Sequence, residues 1–155
     1  MAIPYTKTLT SEQKRKVLFL WNQEYPAQLR METIEDFDQY LSGLTDASHI
    51  LYTGEANHIP GWAFKFTRNK EKWFAIILDY RIHGQGIGSM LLNQLKENET
   101  ELNGWVIDHD RYKKNNLETY VSPLSFYLKN GFVIVKDTRL ESAHLSAAKI
   151  LWNKA

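Results

Sequence analysis

The stretch that most constrains this chain is residues 73–96, WFAIILDYRIHGQGIGSMLLNQLK. Its apolar run Trp73–Leu78 predicts a strand buried on both faces. Three glycines follow at alternate positions, Gly84, Gly86 and Gly88, and then Ile87, Leu91 and Leu95 recur every four residues, the spacing of one helix face. A strand, a glycine turn and a helix leave unpaired backbone N–H groups and the positive end of a helix dipole aimed at one spot. Glycine lets a ligand approach those groups because no Cβ intervenes, and the guest that suits them is an anion, most often a phosphate.

Three readings of this turn can be weighed on the residues alone. A tight connection with no ligand does not call for three alternating glycines. A dinucleotide fingerprint wants G-x-G-x-x-G early in a βαβ unit, whereas Gly84-Gln85-Gly86-Ile87-Gly88 is spaced differently and lies in mid-chain. A nucleoside-triphosphate loop needs Gly-Lys-Ser/Thr, and no Gly-Lys pair occurs in the sequence.

The hexad His83-Gly84-Gln85-Gly86-Ile87-Gly88, continued by Ser89-Met90-Leu91-Leu92, resembles the acyl-coenzyme A loop of the GNAT N-acetyltransferase superfamily. That loop is usually written Arg/Gln-x-x-Gly-x-Gly/Ala at the end of the fourth strand. His83 stands where Arg or Gln is usual, and Gln85 where Lys is frequent, leaving fewer fixed positive charges for a pyrophosphate. Further on, Ser125-Phe126-Tyr127-Leu128-Lys129-Asn130-Gly131-Phe132 resembles the family pattern Phe/Leu-Tyr-x-x-x-Gly-Phe on the helix beside the cofactor thiol. The two motifs come in the family's order, and the resemblance covers residues 46–155.

The resemblance implies an α/β fold, a single GNAT-like domain over residues 1–155. Its mixed central sheet has splayed central strands and is flanked by helices. It implies that the pantetheine arm of acetyl-coenzyme A lies between the splayed strands, against the backbone of Ile77, Leu78 and Asp79. His83, Gly84, Gln85, Gly86, Ile87, Gly88 and Ser89 would hold the pyrophosphate. Asn115 or Asn116, Ser122 and Phe126 would approach the cofactor from the other side. The implied activity is N-acetyl transfer from acetyl-coenzyme A to a primary amine of a small molecule or peptide, by direct attack in a ternary complex.

Such chemistry needs a neutral amine, donors for the developing oxyanion and a proton or donor for the departing thiolate. A splayed strand offers a free backbone N–H, that of Leu78. Tyr127 matches the family's usual acid by position, and a phenol with a pKa near ~10 is protonated at neutral pH. The central strand carries no carboxylate to serve as base. His109, between Asp108 and Asp110, is the candidate by its ordinary pKa. Three consecutive residues rarely point at one ion, so no metal is expected. Two other readings stand beside this one: a non-catalytic acyl-coenzyme A sensing module, suggested by the missing central-strand Glu, and a nucleotide-binding domain.

The rest of the sequence sets bounds. The 155 residues are enough for one domain with a sizeable core. A formal net charge of +1 gives no electrostatic case for nucleic acid or acidic membranes. Cys is absent, which excludes disulfides and thiolate chemistry from the chain and is compatible with a cytoplasmic protein. The N-terminal residues lack an apolar signal-peptide core, and no run approaches the ~20 apolar residues of a membrane helix. Five Trp leave room for a homodimer surface.

In chain order, residues 3–8 predict a short edge strand. Thr10-x-x-Gln13 has the spacing of a capping box and opens a helix with the stripe Val17, Leu20 and Trp21, ended by Pro26. Thr33 opens a second helix with Ile34, Phe37 and Leu41 inward and Gly43 at its end. Residues 48–53 and 61–66 predict a hairpin, the second strand half-buried by its alternation, and Arg68–Lys72 a charged turn. A strand over 102–107, a long loop over 108–121 and a helix over 124–129 capped by Ser122-Pro123 come next. Two C-terminal strands complete the chain.

Overall fold

A computed structural model describes residues 3–155. Met1 and Ala2, where the expected domain begins, lie outside the described residues. The elements are α1 (Ser11–Glu24), α2 (Ile34–Ser42), β1 (Thr45–Tyr52), β2 (Gly61–Arg68), β3 (Glu71–Leu78), α3 (Ile87–Lys96), β4 (Glu101–Val106), α4 (Leu124–Lys129), β5 (Val133–Glu141) and β6 (Ser146–Asn153).

Local chemistry sets most of the boundaries. At α1 the capping box closes in both directions: Gln13 N–H donates to Thr10 Oγ1 at 3.1 Å, and Thr10 N–H to Gln13 Oε1 at 2.9 Å. Thr33 caps α2 through Asp36 N–H at 3.1 Å. The β2–β3 turn is two residues long, and Asn69 and Lys70 both take positive φ, 52° and 66°, as a hairpin of this length requires. Ser122 Oγ accepts from Leu124 N–H, the expected capping bond, although the regular helix begins after Pro123 rather than at it.

The six strands form one sheet in the order β1-β2-β3-β4-β6-β5. Every neighbouring pair is antiparallel except β3 and β4, which are parallel and pair only at Trp73↔Asn103. Asn103 secures that contact by donating to Lys72 C=O at 3.1 Å, and the Phe74 ring lies where a Cβ on Gly104 would stand, 2.8 Å from its Cε1. Beyond it the two strands part. One core cluster packs α1 and α2 on one face of the sheet, with Trp21, Phe37, Trp62 and Phe64 at its centre. The other packs α3 and α4 on the opposite face, with Phe74, Leu91, Leu95, Leu102 and Tyr127.

Three expectations give way here. Residues 3–8 form no strand, only a single bridge between Thr6 and His49. Pro4 has no N–H to donate, and Gln94 takes the flanking groups by accepting from Ile3 N–H at 3.0 Å and, at its carbonyl, from Tyr5 Oη at 2.9 Å. β2 is buried over Gly61–Phe66 rather than on alternate residues. Its Lys65, 9% exposed, sends its ammonium to Leu95 C=O at 3.0 Å and Glu99 at 2.8 Å, where a cation meets the negative end of α3. β3 is not buried throughout: Ala75, Ile76 and Leu78 are half-exposed because their neighbouring strand has moved away. Among the described residues no helix is long and apolar enough to cross a membrane.

Two buried polar groups carry stability that can be measured. His49, 4% exposed, accepts from Trp62 Nε1 at 3.1 Å, and burial pushes its pKa from 6.5 down to about 4. Its folded pKa lies below the unfolded one, so its contribution is complete above pH 6.5 and is lost as pH falls toward 4. The loss is about 3 kcal/mol. Denaturation at pH 7 and pH 4 should show a markedly smaller fall in His49→Gln than in the parent. Glu24 at the end of α1 accepts from Tyr80 N–H at 3.0 Å and stands 3.6 Å from Lys114, both side chains being under a tenth exposed. Glu24→Ala leaves that ammonium buried and unpaired and should cost about 3 kcal/mol in urea titration; a cost under about 1 kcal/mol would mean Lys114 reaches solvent instead.

Candidate active site

After Leu78 the chain makes a tight turn over residues 80–82, held from inside by Asp79. The Asp79 carboxylate, 2% exposed, accepts from Arg81 N–H and Nε at 2.9 Å, from Arg81 Nη2 at 2.6 Å and from Gln23 Nε2 at 3.1 Å. Chiefly the Arg81 side-chain hydrogen bonds hold this carboxyl well below the usual carboxylate range. Both residues are thereby committed to the turn. Asp79 N–H also donates to Pro60 C=O, so neither its backbone donor nor its side chain is offered to a ligand.

The three glycines serve two purposes. Gly84 and Gly86 have φ of 75° and 81°, and a Cβ on either would meet no protein atom within 4 Å. Their freedom shapes the backbone and keeps the space above it open. Gly88 instead makes room for packing: a Cβ there would stand 3.1 Å from Phe126 Cζ and 3.4 Å from Leu78 Cδ1. Helix α3 makes its first backbone bond from Met90 N–H to Gly86 C=O, and its first turn holds no acidic residue. Among the described residues the N–H groups of Gly84 to Ser89 have no protein acceptor. His83 points its Nε2 at Leu78 C=O, 3.0 Å away. A carbonyl can only accept, so this nitrogen carries the proton.

Beside this nest runs the open edge of β3. Asp79 N–H bonds to Pro60 C=O, one residue before β2, and donors alternate along a strand, so the N–H groups of Ile76 and Leu78 face away from β2, toward the gap where β4 has diverged. The gap and the nest form one cleft of about 740 Å³. Ile77, Leu78, His83, Gly84, Gly86, Gly88, Ser89, Ser122, Phe126 and Tyr127 line it together.

Other residues singled out from sequence stand elsewhere. Asp79 is occupied as described; Gln85 turns back toward Arg81 C=O at 3.4 Å; Ile87 packs against the core cluster of α3. Asn116 accepts from Glu118 N–H within its own loop, and Asn115 donates to Asn22 C=O. His109 does not reach the cleft: its Nδ1 accepts from Arg111 N–H, and its ring meets Tyr112 edge-on at 4.6 Å. Its neighbours diverge, Asp108 to Arg139 at 2.8 Å and Asp110 to Ser122 N–H at 2.7 Å. Among the described residues no three His, Asp or Glu converge on a metal position.

Tyr127 sits where the strands part, its ring packed edge-on against Phe74 at 5.6 Å and Phe126 at 5.0 Å. Burial, with Tyr120 nearby, pushes its phenol well above the ordinary value. Tyr120 is raised to about 12, first by burial and then by the Glu24 carboxylate. Tyr25, Tyr120, Glu24 and Lys114 all line the cleft and were not singled out as site residues in the sequence. They carry no motif; the one available signal is that Glu24 follows Val17, Leu20 and Trp21 at helical intervals and so shares their buried face of α1.

No protein-family model matches the sequence, and no curated protein matches it. Solved structures match in three dimensions. An aminoglycoside 6'-N-acetyltransferase complexed with coenzyme A superposes with a TM-score of 0.71 at 13% identity, covering 99% of this chain and 97% of that one. The aminoglycoside 6'-N-acetyltransferase from Enterococcus faecium gives 0.69 at 13% identity, with the same coverage. A GNAT-superfamily phosphinothricin acetyltransferase from Sinorhizobium meliloti, in complex with acetyl-coenzyme A, gives 0.66 at 14% identity and covers 99% and 89%. Likeness at these identities is likeness of fold, and the chain has the fold of the GNAT acetyltransferases.

Proposed function

We propose that this protein is an acetyl-coenzyme A-dependent N-acetyltransferase acting on a primary amine of a small molecule or peptide. One observation carries the reading: bare amides at Gly84–Ser89 and the unpaired edge of β3 open into the same cleft as the Tyr127 phenol. Two solved structures of this fold, named above, are complexes with coenzyme A or its acetyl form.

The residues present fit that cosubstrate. The nest at α3 binds a pyrophosphate through backbone N–H groups and the helix dipole. Side-chain cations add little, since Arg81 is spent on Asp79 and His83 on Leu78 C=O. The N–H groups of Ile76 and Leu78 are donors for the amide-like groups of a pantetheine arm and for an oxyanion at the acyl carbon. When bound, acetyl-coenzyme A supplies an activated acetyl thioester. Nitrogen forms the new C–N bond as the C–S bond breaks, and the proton shed by nitrogen leaves through water. Tyr127 donates a hydrogen bond to the departing sulfur; its raised pKa suits a donor that keeps its proton. His109, outside the cleft, has no step in this scheme.

A non-catalytic acyl-coenzyme A sensor is the second reading, favoured by a β3 that presents no carboxylate to the cleft. Both readings require binding. Acetyl-coenzyme A at 100 times its dissociation constant should add about 2.7 kcal/mol of stability in thermal unfolding; no shift at millimolar ligand overturns both. Gly86→Ala should stay folded at a cost of about 1 kcal/mol, because φ is positive there, while losing tenfold or more in coenzyme A affinity by calorimetry. Tyr127→Phe should keep that affinity and slow thiol release on the order of 10²-fold. Binding without thiol release across an amine panel would select the sensor.

A further inference from the structure

A second cavity, about 560 Å³, opens on the α1/α2 face of the sheet and shares Tyr25, Ile76, Tyr120, Pro123 and Tyr127 with the cofactor cleft. The two spaces therefore meet at the point where β3 and β4 separate. We propose that this cavity holds the acceptor, and that the acceptor is a primary amine joined through an apolar spacer to an anionic group such as a carboxylate. The proposal rests on the acetyltransferase reading and adds to it the class of amine.

The lining decides the class. Its walls are aromatic, with Trp21, Tyr40, Phe66, Trp73 and Trp105 among them. Among the described residues, the charged side chains in that lining are Arg30 and Arg68, with no Asp or Glu. A polyamine would lose the hydration of each further ammonium in such a space and gain no counter-charge. An anion finds one ready. Arg30 already meets Glu32 at 3.2 Å, but among the described residues Arg68 has no carboxylate partner. Its guanidinium lies over the rings of Phe66 at 5.0 Å and Trp73 at 5.5 Å. Glu71, its cross-strand neighbour, is turned to Lys149 at 3.6 Å. A guanidinium resting on ring faces keeps its in-plane N–H donors free for a two-point contact with a carboxylate.

Position sets the length of the spacer. Trp73, beneath the guanidinium, precedes Ile76 by three residues, about 10 Å along a strand. An amine poised near Ile76 and Tyr127 thus sets its anionic group about 10 Å away at Arg68, with an apolar stretch between. An α-amino acid acetylated at its α-nitrogen is too short to make both contacts.

Three compounds of matched length separate the possibilities: 8-aminooctanoate, octylamine and 1,8-diaminooctane. With acetyl-coenzyme A present, kcat/KM for thiol release should favour the amino acid over either analogue by about tenfold or more. In Arg68→Gln that ratio should collapse toward one, with the change mainly in KM. Calorimetry on the coenzyme A-loaded protein should rank the three in the same order. A diamine used or bound as well as the amino acid, a ratio that survives Arg68→Gln, or no binding of any of the three overturns the proposal. The two readings fail separately: without a thermal shift from acetyl-coenzyme A the acetyltransferase reading falls. Calorimetry on the protein alone still ranks the three compounds, and equal affinities there overturn the acceptor class.

Discussion

The middle of this sheet is joined at one residue pair, Trp73 with Asn103. A parallel pair that continued to the strand ends would satisfy the N–H groups of Ile76 and Leu78 and close the space between β3 and β4. Because pairing stops, the backbone itself becomes the binding surface, while the helical layers still span the gap. The α1/α2 layer covers one face of the sheet and the α3/α4 layer the opposite face, each packing on strands from both sides of the break. What holds the halves at a fixed angle is local: the Asn103 amide on Lys72 C=O and the Phe74 ring against Gly104.

The same economy governs the turn below β3. The charged residues near the nest are taken up by one another or by the backbone. Asp79 and Arg81 neutralise each other inside the turn, His83 ties back to the strand, and Glu24 with Lys114 fastens the long loop to α1. Their work is to hold the amides still, so that anion recognition falls to the main chain and the helix dipole. A preorganised set of donors needs no rearrangement when charge arrives.

On the opposite face, the aromatic rings that build the core also build a cavity. Tyr25 and Tyr40 each meet Trp21 edge-on, with ring centroids 4.6 and 5.0 Å away. All three rings also line the second cavity. That space joins the strand gap, so one packing arrangement supplies both rigidity and access.

Much of this was legible in the chain. The capping box at Thr10 and Gln13 and the glycines at 84, 86 and 88 depend on neighbours within a few residues, where local sterics and hydrogen bonds decide. Other features were not legible. Burial of Lys65 depends on the far end of α3, the half-exposure of Ile76 and Leu78 on where β4 leaves the sheet, and the displacement of His109 on the path of a loop without periodicity. The family resemblance implies the Asp79 backbone against a pantetheine arm, whereas its contacts with Gln23, Arg81 and Pro60 turn it inward. Helix caps and the glycine nest are written in short-range geometry, which needs no distant partner. Which donors stay unpaired and which cavity they face follow from contacts between residues far apart in the chain, and those exist once the sheet has assembled.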